Sequence, residues 1–80
     1  MRYKVGDRVK IKSLDWYNKN KDTNGNVNCG SKLFTKEMSK YCEKIMIITY
    51  ISNLNIIRMG MDNHYWIEDM IEDIVTPDKL

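Results

Sequence analysis

Apolar and charged residues alternate along Arg8-Val9-Lys10-Ile11-Lys12, directly after the turn signal Val5-Gly6-Asp7. In an extended chain Val9 and Ile11 fall on one side, and Arg8, Lys10 and Lys12 on the other. A strand of this kind has one dry face and one wet, basic face. At the head of an 80-residue chain it points to a small β-barrel. A chain of this size buries only about 60–65% of its unfolded surface, so every large apolar side chain matters. The length suits one domain, expected over residues 1–76, with residues 77–80 fraying after Pro77.

Residues 13–31 are polar and contain Asn18, Asn20, Asn24, Asn26 and Asn28. Asn24-Gly25 is a tight-turn signal, because both residues tolerate positive φ. The segment reads as a hairpin-like excursion with Trp16 and Tyr17 at its root. Phe34, Met38 and Tyr41 then recur at helical spacing, with Thr35 as N-cap and Glu37 in the first turn. A short helix is expected there.

Residues 44–51 form the strongest strand pattern. Ile45, Ile47, Thr49 and Ile51 lie on one face, and Met46, Ile48 and Tyr50 on the other. Apolar residues on both faces suggest a central strand covered on both sides. Turns at residues 52–55 and 60–63 separate it from strands at 56–59 and 64–67, which together make a meander. A helical turn at Glu68-Asp69-Met70-Ile71 and a closing strand at Asp73-Ile74-Val75 follow. A long first excursion, a three-stranded meander, a helical turn and a last strand are the order of an SH3-like β-barrel. The fold class is therefore mainly β, with a long first loop and one short helix. The expected core is Val5, Val9, Ile11, Phe34, Met38, Tyr41, Ile45, Ile47, Ile51, Ile57, Tyr65, Ile67 and Met70.

Three stretches carry a resemblance. They are the run from Val5 through Trp16-Tyr17-Asn18, the run Met38-Ser39-Lys40-Tyr41-Cys42 followed by Lys44-Ile45, and Tyr65-Trp66 followed by Glu68-Asp69-Met70-Ile71-Glu72. Together they resemble small SH3-like barrel proteins of gut Bacteroides-type bacteria and their mobile elements, over most of residues 3–72. The resemblance implies the barrel fold and no particular activity. In that family Gly tends to follow the Tyr-Cys pair, where this chain has Glu43. If that turn needs positive φ, Glu43 costs up to about 1–2 kcal/mol; otherwise the turn differs in this chain.

Charge is divided along the chain. Residues 1–40 hold ten Lys/Arg and four Asp/Glu, and residues 41–80 hold three and seven. Either the two halves attract within one fold, or the basic half serves a polyanion. Arg8, Lys10, Lys12, Lys19 and Lys21, interleaved with Trp16 and Tyr17, are the candidate nucleic-acid contacts. Against them stand the excess of Lys over Arg and a pI of about 8.5, below the usual footprint of about 9. Trp16, Tyr17, Tyr41 and Trp66 are the candidate walls of a peptide groove. The competing reading places the same aromatics in the core.

Catalytic and metal chemistry find little. Cys29 and Cys42 have twelve residues between them, without the close pairs of a zinc site, and His64 is the lone histidine. No metal or cofactor is expected. A Cys29–Cys42 disulfide would need an oxidising compartment. No nucleophile-elbow or phosphate-loop motif occurs. The acidic set Glu68, Asp69, Glu72 and Asp73 reads as a solvated face or a dock for a basic partner. The opening residues lack a signal-peptide run, and no stretch approaches ~18 apolar residues. The expectation is a cytoplasmic, non-enzymatic binding module for a protein or peptide, with nucleic acid as the alternative and no membrane partner.

Overall fold

The computed structural model describes residues 2–75; the expected frayed tail at 77–80 lies outside them. Strand β1 is Arg8–Ile11, α1 is Leu14–Asn20, and a hairpin pairs β2 (Val27–Asn28) with β3 (Leu33–Phe34). A 3₁₀ helix, Lys36–Tyr41, leads into β4 (Ile45–Ile51) and β5 (Ile57–Met59). A second 3₁₀ turn, Glu68–Met70, precedes β6 (Ile71–Ile74). The four-stranded antiparallel sheet has the order β5-β4-β1-β6, and the β2–β3 hairpin forms a separate sheet.

Part of the expected order is present, namely β1, a helical element, the β4–β5 pair, a helical turn and β6, but the sheets do not close into a barrel. The expected strand over 64–67 shrinks to a single bridge between Trp66 and Ile57. Its physical cause is Asp62, whose carboxylate takes the backbone N–H of His64 at 3.2 Å. That hydrogen bond holds the chain in a turn where a ladder would otherwise begin. A third meander strand is therefore missing from the free side of β5.

Register decides which residues are inside. Val9 lies opposite Met46, and Arg8 opposite Ile47. Opposed residues of an antiparallel pair share a face. Val9 is fully buried, so Met46 and Ile48 point inward, and Ile45 and Ile47 point out beside Lys10 and Arg8. Ile48 is 1% exposed, against 57% for Ile45 and 47% for Ile47. This corrects the expected inner face of β4 and its expected cover on both sides. Val5 and Tyr65, also expected in the core, are exposed, while Tyr3, Val27, Met59 and Ile71 join it. The register shifts between Ile48 and Tyr50, which places Thr49 as the extra residue of a bulge and turns Tyr50 outward.

The excursion is more ordered than its composition suggests. Ser13 accepts a hydrogen bond from the Trp16 N–H at 3.0 Å and caps α1, so Trp16 and Tyr17 lie on a helix. Asp22 accepts from the N–H groups of Asn24 and Asn26. Gly25 has φ +85°, and a Cβ there would meet Lys36 and the Tyr17 hydroxyl at 3.3 Å. Thr35 caps the 3₁₀ helix as expected, accepting from Met38 N–H, although Phe34 belongs to β3 and the helix is 3₁₀ in form.

Glu43 has φ +68°, so of the two outcomes the sequence left open, a different turn or a strained one, the chain adopts the strained one. Its carboxylate accepts the Leu14 N–H at 3.2 Å, at the first turn of α1. Glu43→Gly should raise stability by about 0.5–1 kcal/mol in urea unfolding, because relief of strain exceeds the loss of one exposed hydrogen bond. A lower stability would show that the carboxylate matters more than the backbone. Ile48→Ala should cost about 2–5 kcal/mol and Ile47→Ala under about 1 kcal/mol. The reverse order would mean that β4 presents its other face to the core.

Candidate functional site

The aromatic residues expected to line a groove come together around Phe34. Trp16 meets the Phe34 ring edge-on at 5.2 Å, and Tyr17 lies 5.9 Å from it. Trp66 packs against Phe34 at 5.9 Å and against Tyr41 at 5.8 Å. Most of this surface is spent on the core. Trp66 and Tyr17 are buried, and Tyr41 and Trp16 are half-buried. Of the four, Trp16 alone lines the cleft beside the excursion.

That cleft has a volume of about 500 Å³ and runs between the excursion and the second 3₁₀ turn. Its apolar surface comes from Tyr3, Trp16, Val27 and Ile71. Glu68, Asp69 and Glu72 form one rim, with Arg2 and Lys12 also in the lining. Arg2 is already engaged by Asp73 at 3.0 Å. Cys29 is part of the wall; burial pushes its thiol up, and Asp69 adds to the rise. The acidic rim was legible as a cluster, but its meeting with Trp16 was not, because α1 was read as loop.

The five candidate nucleic-acid cations do not form one surface. Arg8 and Lys10 project from the outer face of β1, and Lys12 lines the cleft. Lys19 pairs with Asp15 at 3.3 Å, and Lys21 lies over the Tyr17 ring at 5.3 Å. Sequence reasoning missed a second hollow, of about 350 Å³, where Tyr50, Arg58, Tyr65 and Lys32 meet. Their separation in sequence hid it.

Asp62 is held by several hydrogen bonds at once. It accepts from Trp66 Nε1 at 2.8 Å and lies 2.6 Å from His64 Nδ1. Burial would raise its carboxyl, but the hydrogen bonds from His64 and Trp66 outweigh burial, and the net direction is down. His64 Nε2 faces Glu37 at 3.7 Å. Among the described residues, no hydroxyl or thiol hydrogen-bonds to Nε2, so the pair acts as the anchor of Trp66. Both cysteines are free, and burial, with Glu43, pushes the Cys42 thiol up. Among the described residues no group of three or more metal-ligating side chains gathers, and no helix is long and apolar enough to cross a membrane.

Comparison with protein-family models, curated proteins and solved structures finds no match.

A carboxyl lowered on folding adds stability above its unfolded pKa of about 3.9 and loses it as pH falls through the folded value. Asp62→Asn should therefore be less stable at neutral pH by about 1–3 kcal/mol. The gap to the unaltered protein should narrow below about pH 4 in denaturant titrations. A gap that stays constant down to about pH 2 would contradict the assignment.

Proposed function

We propose that this chain is a non-enzymatic binding module with an SH3-like order of elements, and that its cleft receives an extended protein segment carrying a basic side chain. The observation that carries the reading is the pairing of the half-buried Trp16 with the carboxylates of Glu68, Asp69 and Glu72 around one cleft. The half-buried Trp16 offers an apolar face to a flat or proline-rich segment. The carboxylates offer charge to a lysine or arginine, and such pairs select register and partner more than they add affinity. The SH3-like assignment rests on β1 flanked by β4 and β6, the β4–β5 meander and the 3₁₀ turn before β6. The non-enzymatic reading is supported by the thiols of Cys29 and Cys42, both pushed up where a nucleophile needs the opposite. The two free thiols suit a reducing, cytoplasmic setting. The nucleic-acid alternative through Arg8, Lys10, Lys12, Lys19 and Lys21 has weaker support, because Tyr17 is buried and the cations are dispersed.

The test is an NMR titration with a proline-rich peptide bearing one arginine, repeated with that arginine replaced by alanine. Shifts should gather at Trp16, Asn28 and residues 68–72, and the alanine peptide should bind more weakly. The double variant Glu68→Gln, Glu72→Gln should weaken the arginine peptide by about three- to tenfold, as two partly screened pairs would. No shifts at these residues, or equal binding by both peptides, would overturn the reading.

A further inference from the structure

The outer face of the β4–β5 meander carries a row of side chains that the fold does not use. Tyr50 lies directly opposite Arg58 in the ladder. Trp66 bridges to Ile57 with its side chain inward, so its neighbour Tyr65 comes out beside Arg58. Tyr50 and Tyr65 remain 58% and 53% exposed. Two large aromatics flanking Arg58 on the wet face of a small sheet are surface that packing leaves unused. The bulge at Thr49 is what brings Tyr50 to this face. Without it the alternation that buries Ile48 would carry the next outward position to Thr49.

Two cations are fixed on this row. The Arg58 guanidinium lies 4.9 Å from the Tyr65 ring centre, and Lys32 Nζ lies 5.3 Å from it. Lys32 arrives from the turn of the β2–β3 hairpin, far away in sequence. Arg58 Nε is shielded from solvent and has no hydrogen-bond partner among the described residues. The hollow they enclose, about 350 Å³, is completed by Ser52 and Ile56, and among the described residues no carboxylate lines it.

We propose that Tyr50, Arg58 and Tyr65, with Lys32, form a binding site for single-stranded nucleic acid. The chemistry is specific in kind. A planar base needs an aromatic or guanidinium face to stack on, and its phosphate needs a cation within reach. This hollow offers both and presents nothing that would repel a polyanion. Bases in a duplex are already stacked on one another, so the tyrosines select unpaired ones. The same outer face continues through Ile47 to Arg8, its partner across the β1–β4 ladder. That gives the phosphate backbone a further positive contact beyond the row. The site is separate from the cleft of Trp16 and independent of what that cleft binds.

The probe is a fluorescein-labelled oligouridylate, read by anisotropy at low salt, with a duplex of equal length as competitor. The unaltered protein should bind it, and affinity should fall with salt with a log–log slope of about −1.4 to −2.1, as two or three phosphate contacts give. Tyr50→Ala and Tyr65→Ala should each weaken binding by about five- to 150-fold, the range of one lost base stack. Both tyrosines are exposed, and amide spectra of each variant would confirm the unaltered fold. Met61→Ala, fully exposed and outside both hollows, should change nothing. No binding at about 50 mM salt, binding indifferent to both tyrosine variants, or a duplex that competes equally would each overturn the proposal. So would preferential shifts of these residues by the proline-rich peptide.

Discussion

The packing of Phe34 between Trp16 and Trp66 is the contact on which the rest of this molecule depends. Phe34 is fully buried and meets both indoles edge-on, at 5.2 and 5.9 Å. Trp16 belongs to the helix of the first excursion and Trp66 to the end of the meander, so one ring joins the two halves of the chain. An 80-residue domain has little apolar area to spare. Aromatic pairs of this geometry add about 0.5–1.5 kcal/mol each beyond the area they bury. The buried carboxylate of Asp62, bonded to Trp66 Nε1, holds the second indole in its place.

Two surfaces follow from that arrangement. The excursion is drawn onto the inner face of the sheet, and the seam it leaves against the second 3₁₀ turn is the cleft with the acidic rim. Among the described residues nothing covers the outer face. Ile45, Ile47, Tyr50 and Tyr65 are left there among Arg8, Lys10 and Arg58. The division of charge along the chain is therefore not mirrored by two faces. Lys32 and Arg58, from opposite halves, meet over the Tyr65 ring, and Lys12 shares a cleft with Glu68 and Glu72.

Local chemistry was legible wherever one residue type has one cause. The alternation of Val9 and Ile11, the turn at Asn24-Gly25, the Thr35 cap and the helical turn at 68–70 all appear as read. The turn at Glu43, left open by a resemblance in which Gly stands there, proves left-handed at φ +68°. Helix α1 was missed although Ser13 supplies its cap, because the asparagines around it pull the reading toward loop. The face of β4 was inverted because isoleucine stands at Ile45, Ile47 and Ile48 alike. Alternation has no preference in such a strand, and only its register against Val9 decides. The strand expected at 64–67 failed through a side chain, since Asp62 competes for the backbone N–H that a ladder would use. Of the expected groove, Trp16 reaches the cleft, while Tyr17 and Trp66 turn inward. A sequence shows that aromatics are present and not which of them the core consumes. The row of Tyr50, Arg58 and Tyr65 was invisible for a further reason: it exists only across strands and after a bulge.

The most direct test is a NOESY spectrum of isotope-labelled protein, read for cross-peaks from the Phe34 ring. The packing described here predicts cross-peaks to the indole protons of both Trp16 and Trp66. Cross-peaks to Trp66 alone, with the β1–β4 ladder intact, would contradict it. In that case the excursion would not be held on the sheet, and the cleft would lose the wall that Trp16 provides.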